Sequence, residues 1–152
     1  MLLRALTKLG LLCDSGVLDQ IREEDMVEIL DEDLCQIYRS YNCYDLCNYS
    51  LEELTSHPFY ELYERHSKIT QQLVEACGLI LNGQKLFHGF DDMPEYHIKE
   101  LLTERPEFFA VREKFLAPLS CTINRKTYIL SVKRMRALGI MADEVGSRVR
   151  YL

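Results

Sequence analysis

The sequence has no apolar run approaching the roughly 18 residues that a membrane-spanning helix needs. Its seven glycines are too scattered to form a phosphate-binding loop, and no internal repeat or low-complexity tract is present. The leading MLLRALTKLGLLC has an early arginine, but Lys8 interrupts its apolar run and no small-residue cleavage site follows. These absences argue against a membrane protein, a secreted precursor and a glycine-loop nucleotide enzyme.

The chain is long and apolar enough for one domain with a substantial core, since 47% of its 152 residues are hydrophobic. Six cysteines are spread along it, whereas disulfide scaffolds usually concentrate them in shorter, core-poor secreted chains. We therefore expect reduced thiols and a cytoplasmic protein without a membrane partner. The cysteines are Cys13, Cys35, Cys43, Cys47, Cys77 and Cys121.

Charge is unevenly distributed. Residues 1–64 hold 14 acidic and 4 basic side chains, whereas residues 112–152 hold 3 acidic and 9 basic ones. The net charge of −6 makes general nucleic-acid binding an unfavourable interpretation. The basic cluster Lys133-Arg134-Met135-Arg136 could contact phosphates, but pairing with the acidic N-terminal half explains it more simply. We predict that the two regions balance each other within one fold.

The N-terminal half predicts a helix, two strands and then two further helices. Leu2, Leu6, Leu9 and Cys13 fall on one side of an amphipathic helix, and two strands at 26–30 and 34–41 flank an acidic turn. Ser50-Leu51-Glu52-Glu53 has the form of a capping box, and Pro58 ends that short helix near Thr55 or Ser56. A longer helix then ends at Asn82-Gly83, because both residues tolerate the left-handed conformation. Its apolar face is Ile69, Leu73, Cys77 (or Ala76) and Ile80.

The C-terminal half predicts a strand at 84–90, a helical segment and a hairpin. Asp92-Met93-Pro94-Glu95 resembles a helix start, and the apolar spacing to Phe115 favours further helical turns. Alternation then indicates two strands joined by the turn Asn124-Arg125-Lys126. Strands at both ends with helices between them predict an α+β fold. Its antiparallel sheet would have about five strands, with helices on one face, preceded by the amphipathic N-terminal helix.

This order resembles that of a PAS (Per-Arnt-Sim) domain, which opens with two strands, continues through short helices and a longer helix, and closes with three strands. The family often starts its helices with a glycine-tyrosine-serine, any residue, glutamate-glutamate-leucine run, which Asn48-Tyr49-Ser50-Leu51-Glu52-Glu53-Leu54 matches except at Asn48. The resemblance implies a sensory domain at 25–136 with a helical insertion at 93–114. Residues 1–24 would be a helical segment for dimerisation, and 137–152 a C-terminal extension.

In this family a ligand cavity lies between the long helix and the sheet and can hold haem, flavin, a small organic acid or nothing. The resemblance implies that seven residues face it: Ile69, Leu73, Cys77, Phe87, Leu119, Cys121 and Tyr128. The alternative is a filled core, which is the commoner role of apolar residues at such spacing. Haem ligation through His66 is disfavoured by its charged and polar neighbours, and the flavin-photosensor cysteine motif is not recognisable.

The cysteines suggest two other sites, neither of which the spacing favours. Cys35, Cys43, Cys47 and His57 are suitable zinc ligands, but they lack two closely spaced pairs. A redox pair of Cys43 and Cys47 lacks the usual Cys-x-x-Cys spacing. Packing is the more common fate of free cysteines, so we predict no metal site.

We predict a non-catalytic sensory or protein-interaction module in signal transduction, possessing a small-molecule ligand or none. It would be a homodimer formed through Leu2, Leu6 and Leu9, with a kinase or transcription regulator as its output domain or partner. The chain would be either the sensory part of a larger regulator or a stand-alone adaptor. The alternatives are a transcription-regulator fragment, or a small cytoplasmic enzyme with a cysteine or histidine in a groove near 93–115.

Overall fold

The computed structural model describes residues 1–40 and 48–139. Within them the chain forms five helices: α1 (Leu2–Leu9), α2 (Ser15–Leu18), α3 (Leu51–Ser56), α4 (Phe59–Leu62) and α5 (Ser67–Leu81). The same residues form eight strands: β1 (Leu11–Leu12), β2 (Met26–Leu30), β3 (Gln36–Arg39), β4 (Tyr63–Glu64), β5 (His88–Gly89), β6 (Tyr96–Glu100), β7 (Phe108–Cys121) and β8 (Thr127–Gly139). None of the described helices is long and apolar enough to cross a membrane.

The strands form one antiparallel sheet in the order β3-β2-β8-β7-β6-β4. Its centre is the long β7–β8 hairpin, and the edge of β7 away from β8 pairs in turn with β6, β5 and β1. The α+β prediction with an antiparallel sheet is thus confirmed, with five longer strands and three two-residue strands. The sheet also includes part of the N-terminal segment, because Leu11 pairs with Cys121.

Local signals account for two of the helices. Ser50 and Glu53 form both bonds of the capping box, at 3.1 Å from the Glu53 amide to Ser50 Oγ and 3.0 Å from the Ser50 amide to Glu53 Oε1. Helix α3 ends at Ser56, as the following Pro58 predicts. Helix α5 buries its predicted apolar face and ends at Asn82, followed by Gly83 with a φ of 80°.

The N-terminal helix is shorter than predicted. It ends at Leu9 because Gly10 adopts a left-handed conformation with a φ of 68°, where a Cβ would also lie 2.9 Å from Ile123 Cδ1. The chain therefore continues as β1, and Cys13 lies beyond the helix.

The predicted helical insertion at 93–114 is wrong, since these residues form β6 and the first half of β7. The Asp92-Met93-Pro94 signal belongs to a turn in which the Met93 amide donates to the Phe90 carbonyl at 3.0 Å. Helix-like apolar spacing in β7 arises because both faces of this strand are covered, and a bulge between Glu113 and Phe115 shifts its alternation. The strand predicted at 84–90 is reduced to β5.

The sheet has a hydrophobic core on each side. We call the side covered by α5 the inner face and the side covered by α1 the outer face. On the outer face, Leu6 and Leu11 pack against residues of β2, β7 and β8, so the 1–24 segment contributes to the core. Strand β8 also continues to Gly139, three residues past the domain end predicted at 136.

Candidate functional site

The sheet separates the seven residues predicted to line one pocket. Ile69, Leu73 and Cys77 of α5 pack on the inner face. Leu119, Cys121 and Tyr128 belong to the outer core. Phe87 is 40% exposed, and its ring contacts Phe115 of the outer core at 5.0 Å between centroids. A single pocket lined by all seven is therefore wrong, because consecutive strand residues alternate between the faces and the register selects the outer face for Leu119, Cys121 and Tyr128.

A row of polar side chains crosses the inner face of the sheet, one from each of five strands. Glu28 of β2 lies opposite Arg39 of β3 in the register, and its carboxylate is 3.5 Å from Lys133 Nζ of β8. Lys133 Nζ is also 3.4 Å from Glu113 Oε1 of β7, which accepts a hydrogen bond of 2.6 Å from Tyr96 Oη of β6. We call these five residues the charge ladder, since positive and negative groups alternate along it.

The charge ladder is buried, although charged groups strongly prefer water. Arg39, Glu28, Glu113 and Tyr96 are each exposed by 6% or less, and the Lys133 side chain by 15%. Removing a charged group from water costs on the order of several kcal/mol unless a partner compensates for the lost hydration. Burial and the neighbouring Glu113 carboxylate raise the pKa of Tyr96 well above its usual range, so this phenol stays protonated and donates.

A small cavity lies beside the charge ladder, where Phe59 of α4 also lines it. Its volume is about 20 Å³, which is room for about one water molecule. Arg65 also lines it, with its guanidinium carbon 5.2 Å from the centre of the Phe59 ring. The other lining side chains are Glu28, Gln36, Arg39, Tyr63, Tyr96, Ile98, Val111, Lys133 and Met135.

Several polar atoms around this cavity lack a hydrogen-bond partner within the described residues. They are Nε and Nη1 of Arg65, Oε1 of Gln36 and Oε2 of Glu113. The Gln36 residue is 3% exposed, so water outside the protein does not solvate its amide well. Among the described lining residues, Arg39, Arg65 and Lys133 outnumber the carboxylates of Glu28 and Glu113 by one, and the donors of Arg65 lack a partner. The site is therefore suited to a small anion that accepts hydrogen bonds.

We did not predict the charge ladder from the sequence, although a signal exists. Glu28 stands inside the otherwise apolar MVEIL, and Lys133 follows the mainly apolar run Ile129-Leu130-Ser131-Val132. A charge at an inward position must be paired to be tolerated. The partners, however, come from distant parts of the chain, and only the strand register identifies them.

No family model and no curated protein matches the sequence. One similar solved structure is a sensory box sensor histidine kinase from Vibrio cholerae, at 13% identity and a TM-score of 0.46, covering 80% of this chain and 88% of that one. A PAS domain from Colwellia psychrerythraea has 15% identity and a TM-score of 0.45, covering 88% and 96%. Another, from Desulfitobacterium hafniense, has 15% identity and a TM-score of 0.38, covering 81% and 99%. Similarities of this size carry no argument about function.

The chain's own topology supports the resemblance more directly. Two strands open the sheet, helices α3 to α5 follow, and β6 to β8 close it with β8 hydrogen-bonded to β2. The fold is PAS-like. The resemblance implied a cavity between the long helix and the sheet, whereas the cavity beside the charge ladder has no lining residue from α5, and its volume does not fit haem or flavin. His66 acts instead as the N-cap of α5, where its Nδ1 accepts from the Lys68 amide at 3.2 Å.

The motif that carries the resemblance is anchored to the β6–β7 connection. The Glu100 carboxylate, 1% exposed, accepts 2.9 Å hydrogen bonds from the amide and the side chain of Asn48, and another from the Glu107 amide. Tyr49 Oη donates to the Leu62 carbonyl and accepts from the amides of Leu101 and Leu102. The motif thus holds one end of the PAS-like fold together rather than forming a reactive centre.

Three of the thiols that the structure describes, those of Cys13, Cys35 and Cys77, are poor nucleophiles. Burial raises the pKa of Cys77 to about 12 and, together with the charge of Asp14, that of Cys13 to about 11. Burial and three nearby carboxylates also raise the pKa of Cys35. In the proposed zinc set, Cys43 and Cys47 lie outside the described residues, and His57 Nδ1 is 3.0 Å from the Glu53 carbonyl oxygen. No group of three or more potential metal ligands occurs within residues 1–40 and 48–139.

The predicted dimerisation residues differ in their accessibility. Leu6 is 5% exposed and Leu2 is partly buried against the same outer core, so α1 turns this side toward its own sheet. Leu9 is 36% exposed and Leu3 is 67% exposed. An interface through Leu6 is therefore wrong, because a side chain already packed inside one protomer cannot also pack against another. Dimerisation itself stays a prediction.

Proposed function

We propose that this PAS-like protein is a non-catalytic sensory module of signal transduction that responds to a small anion at the inner-face cavity. The buried guanidinium donors of Arg65, which line this cavity, carry this proposal. A carboxylate-sized anion would accept from Arg65 Nε and Nη1, which have no partner among the described residues, and from the cationic end of Lys133. The cavity would exclude organic cofactors by size.

Binding would be coupled to a change in packing. The cavity has room for about one water molecule, so an anion of several heavy atoms must displace a wall. Arg65 is the most mobile candidate, because it is half-buried and lies in the two-residue connection between β4 and α5. Drawing its guanidinium from Phe59 into the cavity would shift the start of α5. A ligand produces such a change only by binding the shifted arrangement better.

Three further parts of the proposal rest on the thiols and on the resemblance: the lack of catalysis, the cytoplasmic location and the output partner. Raised thiol pKa values disfavour Cys13, Cys35 and Cys77 as nucleophiles, which counts against the enzyme alternative. We place the protein in the cytoplasm, where its free thiols would stay reduced. The protein would form a homodimer linked to a kinase or transcription-regulator output domain, and the change in packing would be transmitted to that domain.

The experiment is an anion titration followed by thermal unfolding at constant ionic strength. Formate, acetate and chloride should each be compared with gluconate, which is too large for the cavity. At a concentration about ten times the dissociation constant, a specific anion should raise the midpoint by about 3 °C. Arg65→Gln should abolish this increase. The matched control is Arg105→Gln, which removes an exposed arginine from the β6–β7 connection.

Equal midpoints in all four anions would contradict the ligand proposal. So would an anion effect that survives in Arg65→Gln, because it would arise elsewhere on the surface. An increase of the same size in both variants and in the unmodified protein would identify a general salt effect rather than a site.

A further inference from the structure

The outer face carries an arginine cluster that the anion site does not use. Arg112 of β7 lies directly opposite Arg134 of β8 in the strand register, and Arg136 projects from the same face two residues further along. Side chains in directly opposed positions are about 5 Å apart at Cβ, so like charges there are destabilising. All three residues are exposed, with the Arg134 side chain at 50% and the Arg136 side chain at 64%.

Two carboxylates of the same chain already bind the borders of this cluster. Glu24 Oε1 lies 2.7 Å from Arg134 Nη2, and Glu95 Oε1 lies 3.2 Å from Arg136 Nη2. Asp25 accepts from Arg134 Nε at 3.1 Å and holds that side chain over the sheet. Arg112, in contrast, has no ion pair within the described residues. It lines a shallow cleft of about 390 Å³ together with Glu24, Glu95, Ala110, Arg134, Met135 and Arg136.

We propose that this cleft binds an acidic segment of a partner protein, with Arg112 at its centre. The cleft presents three guanidinium groups at strand spacing. Arg112 can take a carboxylate in a bidentate manner, whereas Arg134 and Arg136 already have carboxylate partners that an incoming acidic chain would share or displace. Glu24 and Glu95 indicate the chemistry that the surface accepts, and both are exposed enough for an incoming chain to reach their arginines. The like-charge pair of Arg112 and Arg134 is then neutralised by the partner.

Charge complementarity favours an acidic segment over a second copy of this chain and over nucleic acid. A symmetric second copy would bring its own arginines against these, because an isologous contact places the same patch on both sides. Nucleic acid needs several phosphate contacts to overcome the repulsion from a chain with a net charge of −6. A short acidic peptide requires only local complementarity.

The test uses the full chain and fluorescein-labelled hexaglutamate, followed by fluorescence anisotropy at an ionic strength of about 20 mM, where screening is weak. Arg112→Gln should weaken binding by about three- to tenfold, and Arg112→Glu should abolish it. Arg4→Gln is the matched control, since it removes one exposed arginine from α1 and should leave the affinity unchanged. A labelled hexaglutamine peptide should not bind.

Thermal midpoints of the variants accompany the titrations. Arg112→Gln should keep or raise the midpoint, because it removes a like-charge pair, so lost binding with retained stability supports the proposal. Equal losses in Arg112→Gln and Arg4→Gln would overturn it. The proposal would also be overturned if a single-stranded thymidine hexamer bound more tightly than hexaglutamate and this binding depended on Arg112. A solution mass that falls when Arg112 is replaced would overturn it as well.

Discussion

Asp25 connects three parts of the fold through one buried carboxylate. Its side chain is fully buried and accepts from Lys114 Nζ at 2.6 Å, from the Arg22 amide at 2.8 Å and from Arg134 Nε at 3.1 Å. Burial by itself would raise the pKa of Asp25, but these hydrogen bonds and the charge of Lys114 outweigh it. The pKa of Asp25 is therefore below its ordinary value of 3.8.

This lowered pKa predicts a loss of stability in acid. The ionised Asp25 contributes its full stabilisation above pH 3.8, the ordinary value, and the contribution is lost as the pH falls through the lower folded pKa. Asp25→Asn should reduce the free energy of unfolding by about 2 kcal/mol at pH 7. Urea denaturation at pH 7, 4 and 3 should show this difference narrowing below pH 3.8. A difference that stays constant with pH would contradict the role of the charge.

The ion pairs confirm the predicted balance between the acidic and basic regions of the chain. Of the ion pairs identified within residues 1–40 and 48–139, five join a basic residue at 114–134 to an acidic residue at 24–32. Composition was enough to predict this balance. Which pairs are buried was not predictable, because alternate residues of Lys133-Arg134-Met135-Arg136 project to opposite faces, with Lys133 entering the charge ladder and Arg134 reaching the outer surface.

At the scale of elements, the interaction of Glu100 with Asn48 joins α3 to the β6–β7 connection. Glu100→Gln should cost about 2 kcal/mol, because a buried charge-assisted set of three hydrogen bonds is weakened. Hydrogen exchange should become faster at Asn48, Tyr49 and residues 101–107 while the β7–β8 hairpin keeps its protection. Glu104→Gln, an exposed change in the same connection, is the control. Uniformly faster exchange throughout the sheet would contradict a local anchor.

The elements that were predicted well have signals confined to a few neighbouring residues. The capping box of α3, the periodic face of α5 and the alternation of the last hairpin each act within one element. The β6–β7 region was predicted wrongly because its aspartate and proline serve a turn, and its apolar residues are buried on both faces. In such a strand the period of two disappears, and helical spacing appears by coincidence.

At the scale of the whole molecule, the N-terminal segment is part of the fold rather than a separate arm. Leu6→Ala should lower the free energy of unfolding by about 3 kcal/mol, since it leaves a cavity in the outer core. Leu3→Ala on the same helix is the control and should leave stability unchanged, because Leu3 is 67% exposed. Chemical denaturation checks both. An effect of Leu6→Ala on solution mass without any effect on stability would contradict this role.

Leu3 and Leu9 also provide the remaining test of dimerisation through α1. They are the most exposed large apolar side chains of this helix, at 67% and 36%. If α1 mediates a dimer, Leu3→Asp should lower the solution mass. The resulting monomer should have the same unfolding midpoint as the monomer of the unmodified protein. An unchanged mass would remove the helix from any interface.

The sequence by itself determined the class of fold, the starts and ends of α3 and α5, and the balance of charge between its two halves. These properties depend on periodicity, caps and composition, which act locally or on the whole chain without a specific register. Only the tertiary structure decided which residues share a site. The antiparallel register set Glu28, Lys133, Glu113 and Tyr96 in one row and sent Leu119, Cys121 and Tyr128 to the other face. A shift by one residue would exchange the two sets, because strand side chains alternate.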